Sequence, residues 1–413
     1  LVLVISALGA AMIFSASYPK EGMDNITKTL GFTLAGYVIV FVLYNIDYTH
    51  IRKFCWIVML ATMIILVLMA FTGIGEEKGG AGRWLRIGPI SFQPSEICKL
   101  AIIMFLSSFF ASNDELLRYN GYANTRFSTW LFRASNRTFA VVAPGTRRGI
   151  RYKKGLPAAL YAFLVCTVAA ALVLKQSHLS GTIIILLISY VMFLISGIQK
   201  KYVMAVTVVG GAGAVGAMAY ILWVYRKAQA VAGVVGLKGY QMGRIQNWLD
   251  KESELPGTDR WQINHSLYAI AEGGLFGRGY SNSVQKYANL SQADTDFVFA
   301  VVCEELGVVF GVIVLLLMFM LVFRGIYIAL HAKNLFGTYL VGGIMAHIAI
   351  QTILHVLVVT DMIPTTGTTL PFFSYGGSSL LILYVEMGLV MSVSRQADCS
   401  KSFLYSALRR RSA

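Results

Sequence analysis

The sequence predicts an all-α, polytopic membrane protein with about ten transmembrane helices, and three observations carry that expectation. Hydrophobic residues make up 56% of the 413 and charged residues only 13%, where a soluble domain carries about a quarter charged. Mean hydropathy is +0.65. Apolar runs close to the roughly 20 residues that cross a bilayer recur along the chain.

In order, the spans fall near 1–17, 28–46, 55–73, 94–111, 157–174, 181–198, 203–224, 298–323, 337–359 and 380–394. The chain opens at Leu1 already inside an apolar run, with neither Met nor a basic leader. Part of the first helix, or an N-terminal tail, is therefore expected to be missing, and signal-peptide logic does not apply. The whole of 1–413 reads as one membrane domain.

Orientation follows from the basic residues of the short loops. The segment 112–156 carries nine Lys and Arg, among them Arg147, Arg148, Lys153 and Lys154, against Asp114 and Glu115. Lys200, Lys201, Arg324, Lys333 and the tail at 395–413 fall on the same side. That side is cytoplasmic, so both termini are expected inside. The long loop at 225–297, between the seventh and eighth helices, is then extracellular. The net charge of +15 is accounted for by topology and contact with anionic lipid, not by nucleic acid. The five cysteines show no paired spacing and imply neither a disulfide framework nor a metal site.

Three outer connections hold the polar residues. The first, Gly73–Ser95, runs through Gly82-Arg83-Trp84 into Gln93-Pro94-Ser95-Glu96. Pro94 suits the first turn of a helix. Glu96 and Lys99, three apart, then share a helical face, either as a structural lock between helices or as part of a site. The second connection is the long loop. Tyr225–Asp250 reads as an amphipathic surface helix carrying Tyr240 and Arg244. Gln262, His265 and Ser266 follow, then glycines at 273, 274, 277 and 279 that permit close backbone turns. Lys286 leads into Asp294-Thr295-Asp296-Phe297 and the helix that bears Glu304 and Glu305.

The third connection, Asp361–Ser379, combines prolines, glycines and hydroxyls, including Ser374, at membrane depth. Such backbone is tolerated only inside protein or beside a wet cavity, so a re-entrant segment facing a central cavity is expected. His347, Gln351 and His355, at i, i+4 and i+8, form either an interhelical hydrogen-bonding face or a polar cavity wall.

A carboxylate at the outer surface beside Arg83, Arg244 and Lys286 is suited to glycosyl transfer from a lipid pyrophosphate. One acid takes a proton from an acceptor hydroxyl, while cations or a divalent ion stabilise charge on the departing pyrophosphate. Spacing alone carries this only weakly.

The motifs in combination say more. Gly9–Ser17, Gly82-Arg83-Trp84, Gln93-Pro94-Ser95-Glu96 with Lys99, Tyr240 with Arg244, Gly273–Gly279, Ser283 with Gln285-Lys286, Thr295–Gly307 and Pro371–Ser379 resemble, in order, the blocks of the SEDS family, the group of RodA, FtsW and SpoVE. The resemblance spans nearly the whole chain. It implies a ten-helix peptidoglycan glycosyltransferase of the bacterial cytoplasmic membrane that polymerises lipid II into glycan strands at the outer face. It also implies a class B penicillin-binding protein as transpeptidase partner. The family's catalytic aspartate falls on Asp296. Arg83, Glu96, Lys99, Tyr240, Arg244, Lys286 and Ser374 take substrate-binding or cavity-shaping positions. Asp294 stands where the family commonly has His, which tunes the base or marks a metal site. Mg²⁺ or Mn²⁺ remains an expectation without a self-evident ligand set. Ser392-Val393-Ser394-Arg395 leans toward the FtsW/SpoVE branch. Two alternatives stay open: a flippase for the lipid-linked substrate, and a non-catalytic scaffold for the transpeptidase.

Overall fold

The computed structural model describes residues 1–21, 24–72, 75–78, 81–87, 90–118, 155–198, 258–288, 290 and 292–397, with single positions at 204, 207, 208, 216 and 248. The amphipathic helix expected over Tyr225–Asp250, with Tyr240 and Arg244, lies outside these residues. So do most of the basic 112–156 segment, most of the seventh span and the end of the tail.

Helix α1 (Val2–Glu21) and α2 (Asp24–Asn45) open the chain. A short α3 (Tyr48–Ile51) follows, with the Asp47 side chain accepting from the Thr49 amide at 2.8 Å, a first-turn cap for an otherwise orphaned donor. A 3₁₀ turn joins it to α4 (Cys55–Thr72). Then come α5 (Pro94–Arg118), α6 (Gly155–Lys175), α7 (Leu179–Ile195), α8 (Asp259–Gly273), the single turn α9 (Gln285–Ala288), α10 (Val298–Leu330), α11 (Leu335–Val359) and α12 (Gly377–Arg395). Among the described residues, seven helices are long and apolar enough to cross a membrane, and two more apolar helices, Val2–Ser17 and Leu179–Ile195, are shorter. The chain is an α-helical multi-pass membrane protein.

The core sits around α5, whose membrane window is 83% buried. It packs against α4, α6, α7 and α11, and Ile102, Ile103, Phe105, Leu106 and Phe110 on it are sealed from solvent. Pro94 occupies the first position of α5, as its missing N–H allows. By contrast α2 is an outer helix, only 11% buried over its window, and its main partner is α12. A Cβ at Gly36 would stand 2.1 Å from the Tyr384 ring, and one at Gly377 would stand 2.5 Å from Phe32. Glycines therefore set how closely these two helices approach.

Two departures from a plain helical bundle lie at one end of it. The Gly73–Ser95 connection forms a small antiparallel sheet: β1 (Glu76–Lys78), β2 (Ala81–Ile87) and β3 (Ile90–Phe92), in the order β1-β2-β3, with Leu85 opposite Phe92 and an irregularity between Glu76 and Glu77. The second is a break inside α10 at Gly307 (φ 87, ψ 165). The freed backbone there is taken up by the 274–279 loop. Arg278 N donates to Glu304 O and Gly279 N to Glu305 O, both at 2.9 Å, while Val308 N donates to Gly274 O at 2.9 Å. Each orphaned group thus finds a partner inside the protein, which a bilayer interior demands.

The segment from Asp361 to Gly376 is non-helical, as expected, and is held among helices. A Cβ on Gly9 of α1 would stand 2.0 Å from Phe372 O, so the glycine of the first motif is what lets α1 touch this segment. Among the described residues, Cys55, Cys98, Cys166 and Cys303 are buried free thiols.

Candidate active site

A cavity of about 1090 Å³ opens beside the small sheet and the irregular 361–376 segment. Its walls come from widely separated parts of the chain: Lys28 and Phe32 of α2, Trp84 and Arg86 of β2, Glu96 and Lys99 of α5, His178 and Ser180 at the start of α7, Asp259 and Gln262 of α8, Thr295 and Asp296 ahead of α10, Gln351 of α11, and Thr368, Thr369 and Tyr375–Ser379. The expectation that the irregular third connection faces a central cavity agrees with this placement.

Asp296 is held by a turn and by the irregular segment together. Gln292 O accepts from the amides of Thr295, Asp296 and Phe297 at 3.2–3.3 Å. Ser374 Oγ donates to Thr295 O at 2.6 Å and accepts from Leu370 N at 2.8 Å. Tyr375 N donates to Asp294 O at 2.7 Å. The backbone just before Asp296 is thus pinned to the 370–375 segment. Asp296 also lies just before Val298, the first residue of α10, where the helix dipole favours a negative charge.

Glu96 and Lys99 form the ion pair their spacing implied, at 2.8 Å and with side chains 10% and 2% exposed. Glu96 is in the first turn of α5, again the favourable end for an anion. A buried pair contributes little net stability after desolvation. Its presence on a cavity wall therefore points to chemistry more than to holding helices together. His178 Nδ1 lies 2.9 Å from Ser95 Oγ and 3.2 Å from Gln93 Nε2, which secures the same turn from behind.

The remaining expected site residues divide. Arg83 lies on β2, and its side chain is outside the description. Its strand neighbours Trp84 and Arg86 line the cavity. Lys286 is fully buried and is not among the residues lining this cavity. Its Nζ donates to Glu305 Oε1 at 2.6 Å and to Ser15 Oγ at 2.8 Å. A cation sealed against its own carboxylate fastens the 283–288 stretch to α10 and α1. Ser374, 4% exposed and likewise not on the wall, is a positioning residue behind Thr295. Glu304 is spent on the loop, accepting from Ser283 Oγ and from the amides of Val284 (2.6 Å) and Gln285 (3.2 Å).

Sequence reasoning missed Lys28, Arg86, His178 and Asp259. Arg86 had a usable signal, being two residues from Trp84 on a strand and so on the same face. The others are unremarkable charges at helix ends until the fold brings them together. Among the described residues no group of three or more His, Cys, Asp or Glu could hold a metal ion. Asp294 beside Asp296 does not by itself make a cation site, and no step below runs through a metal.

A membrane-embedded helical bundle enclosing a charged cavity, with the Asp296 carboxylate on its wall, defines the class to which this protein belongs. The comparisons with known proteins narrow it. The FtsW/RodA/SpoVE family model, described as cell cycle protein, matches residues 1–399, and the chain belongs to that family. It is 31% identical over 401 residues to the stage V sporulation protein E of Bacillus subtilis (strain 168), covering 96% of this chain and 95% of that one. It is 29% identical over 400 residues to the probable peptidoglycan glycosyltransferase FtsW of Trichlorobacter lovleyi, covering 95% and 91%. In structure it is similar to a chain of a peptidoglycan synthase complex in which polymerization and crosslinking are coordinated (TM-score 0.66, 22% identity, 95% and 96% covered). It is also similar to the rod shape determining protein RodA of Thermus thermophilus (TM-score 0.58, 21% identity, 96% of each chain covered).

Proposed function

We propose that this chain is a peptidoglycan glycosyltransferase that polymerises lipid II at the outer face of the bacterial cytoplasmic membrane, with Asp296 as general base. One observation carries the reading: Asp296 shares a single cavity wall with three cations, Lys99, Arg86 and Lys28. Membership of a family whose relatives bear the name peptidoglycan glycosyltransferase supports it.

The chemistry that such a wall can perform is a displacement at an anomeric carbon. An acceptor sugar hydroxyl attacks that carbon and gives its proton to the Asp296 carboxylate. The new C–O bond forms as the bond to the pyrophosphate oxygen breaks, and the pyrophosphate leaves with the electron pair. Lys99 and Arg86 suit the departing charge as point charge and fork respectively. Pinning by Ser374 and the Gln292 turn fixes the distance from base to hydroxyl, and proximity of this kind is a large part of catalysis. The cavity mouth is taken as extracellular and both termini as cytoplasmic, on the basic-loop rule. The partner is a class B penicillin-binding protein that crosslinks the emerging glycan strand.

The test is polymerisation of purified lipid II by the reconstituted chain, with Mg²⁺, with Mn²⁺ and with chelator, alone and with the transpeptidase. Asp296→Asn should lower the rate by at least about 100-fold while leaving lipid II binding intact. If the Asp296→Asn chain moved lipid II across vesicles as well as the wild type does, the protein would instead be a flippase. Cells that grow normally on the same variant would make it a scaffold.

A further inference from the structure

Behind the cavity wall the Glu96–Lys99 pair continues into a chain of hydrogen bonds that the proposed reaction leaves unused. Lys99 Nζ donates to Gln351 Oε1 at 3.1 Å. His347 Nε2 lies 2.8 Å from the same oxygen, and His347 Nδ1 lies 2.8 and 3.0 Å from the two carboxylate oxygens of Glu386. Gln351 reaches the cavity. His347 and Glu386, from α11 and α12, are sealed from solvent at 1% and 0% exposure. A histidine and a glutamate inside apolar helices are costly and call for a role.

The network itself fixes which atoms donate. Gln351 Nε2 donates to the carbonyl and the hydroxyl of Thr369, at 3.0 and 2.9 Å, so its Oε1 must face Lys99 and His347. An ammonium can only donate. Oε1 therefore accepts from both neighbours, and His347 must carry a proton on Nε2. The remaining proton is shared between Nδ1 and the Glu386 carboxyl. Every member of such a chain is satisfied, which makes it rigid.

We propose that His347 and Glu386 are positioning residues for Lys99. By keeping His347 Nε2 protonated, Glu386 holds the Gln351 carbonyl toward Lys99, and this keeps the ammonium at the cavity wall to receive the pyrophosphate of the lipid-linked substrate. Without the imidazole donor, the Gln351 amide can turn its NH₂ group toward Lys99, donor against donor. The inference rests on the function proposed above, through the identity of the anion.

The experiment is a double-mutant cycle on the full chain in nanodiscs, reading binding of undecaprenyl pyrophosphate directly and KM for lipid II in parallel. His347→Leu should weaken binding and raise KM about tenfold, the size of coupling expected for neighbours in one network. His347→Gln, which restores an N–H donor, should recover most of the loss. In a Lys99→Met background, His347→Leu should change nothing further. Equal weakening with and without Lys99, or unchanged binding in the single variant, would overturn the inference. Gln351→Met removes the same acceptor from the wall and supplies the cycle if His347→Leu does not fold. A wild-type chain that binds the pyrophosphate but makes no glycan sinks the enzymatic reading alone, because the binding cycle is still readable.

Discussion

Lys286 and Glu305 meet with no exposure of either side chain, and Glu305 also accepts from both Ser15 Oγ and the Ser281 amide. Removing the cation alone strands a buried carboxylate, which costs about 3–5 kcal/mol. Lys286→Met is therefore expected to lower the thermal unfolding midpoint in detergent sharply. Adding Glu305→Gln should recover most of the loss, since a neutral amide oxygen still accepts from Ser15 and Ser281. A Lys286→Met protein as stable as the wild type would refute the structural role of this pair. Nothing in the sequence could announce this pairing. Lys286 sits in a polar loop where a free cation is the ordinary reading, and its partner lies 19 positions on, in a helix whose rotation only the fold sets. The Glu96–Lys99 pair was legible because i,i+3 neighbours on a helix face each other whatever the tertiary context.

At the scale of elements, the break in α10 joins two glycines from distant motifs. A Cβ on Gly307 would stand 2.2 Å from Leu275 O, and one on Gly277 would stand 2.2 Å from Glu305 O. Gly307→Ala must carry the positive φ, about 1–3 kcal/mol, and push apart two backbones as well. It is expected to release the 274–279 loop, seen as new protease cleavage there together with a lowered unfolding midpoint. Gly274→Ala is the control, because its φ is also positive but a Cβ there meets nothing within 4 Å. A Gly307→Ala protein as stable as Gly274→Ala would refute the packing argument. The apolar spans were readable from hydropathy alone, whereas these irregularities were not. The sheet at 76–92 lacks the alternation that marks a strand, and α8, with Arg260, Gln262 and His265 among its residues, is too polar to stand out as a span. Thr258, whose hydroxyl accepts from Trp261 N at 3.2 Å, was the one local sign of its start.

For the molecule as a whole, orientation is the expectation with the most direct test. With the four described thiols buried, a variant carrying Cys399→Ser should label weakly with an impermeant maleimide. On that background, Glu272→Cys, at an exposed position on α8, should label from outside intact cells. A cysteine placed in the basic 112–156 segment should label only after permeabilisation. The reverse pattern would invert the topology and put the cavity mouth on the wrong side for lipid II. The cavity itself was only partly foreseeable. Its polar segments were visible as interruptions of apolar runs, but their convergence depends on contacts that no local pattern encodes.

The pairing of α2 with α12 has a consequence for biosynthesis. Arg395 donates to Asn45 O from 350 positions away, and the tight glycine contacts join the same two helices. During translation the second helix therefore enters the bilayer long before its clasp exists, and it must wait beside lipid until the twelfth helix has been made. A nascent chain halted short of Gly377 would carry nearly every catalytic group yet leave the chamber without one of its staves, so assembly of the enzyme is gated by insertion of that helix.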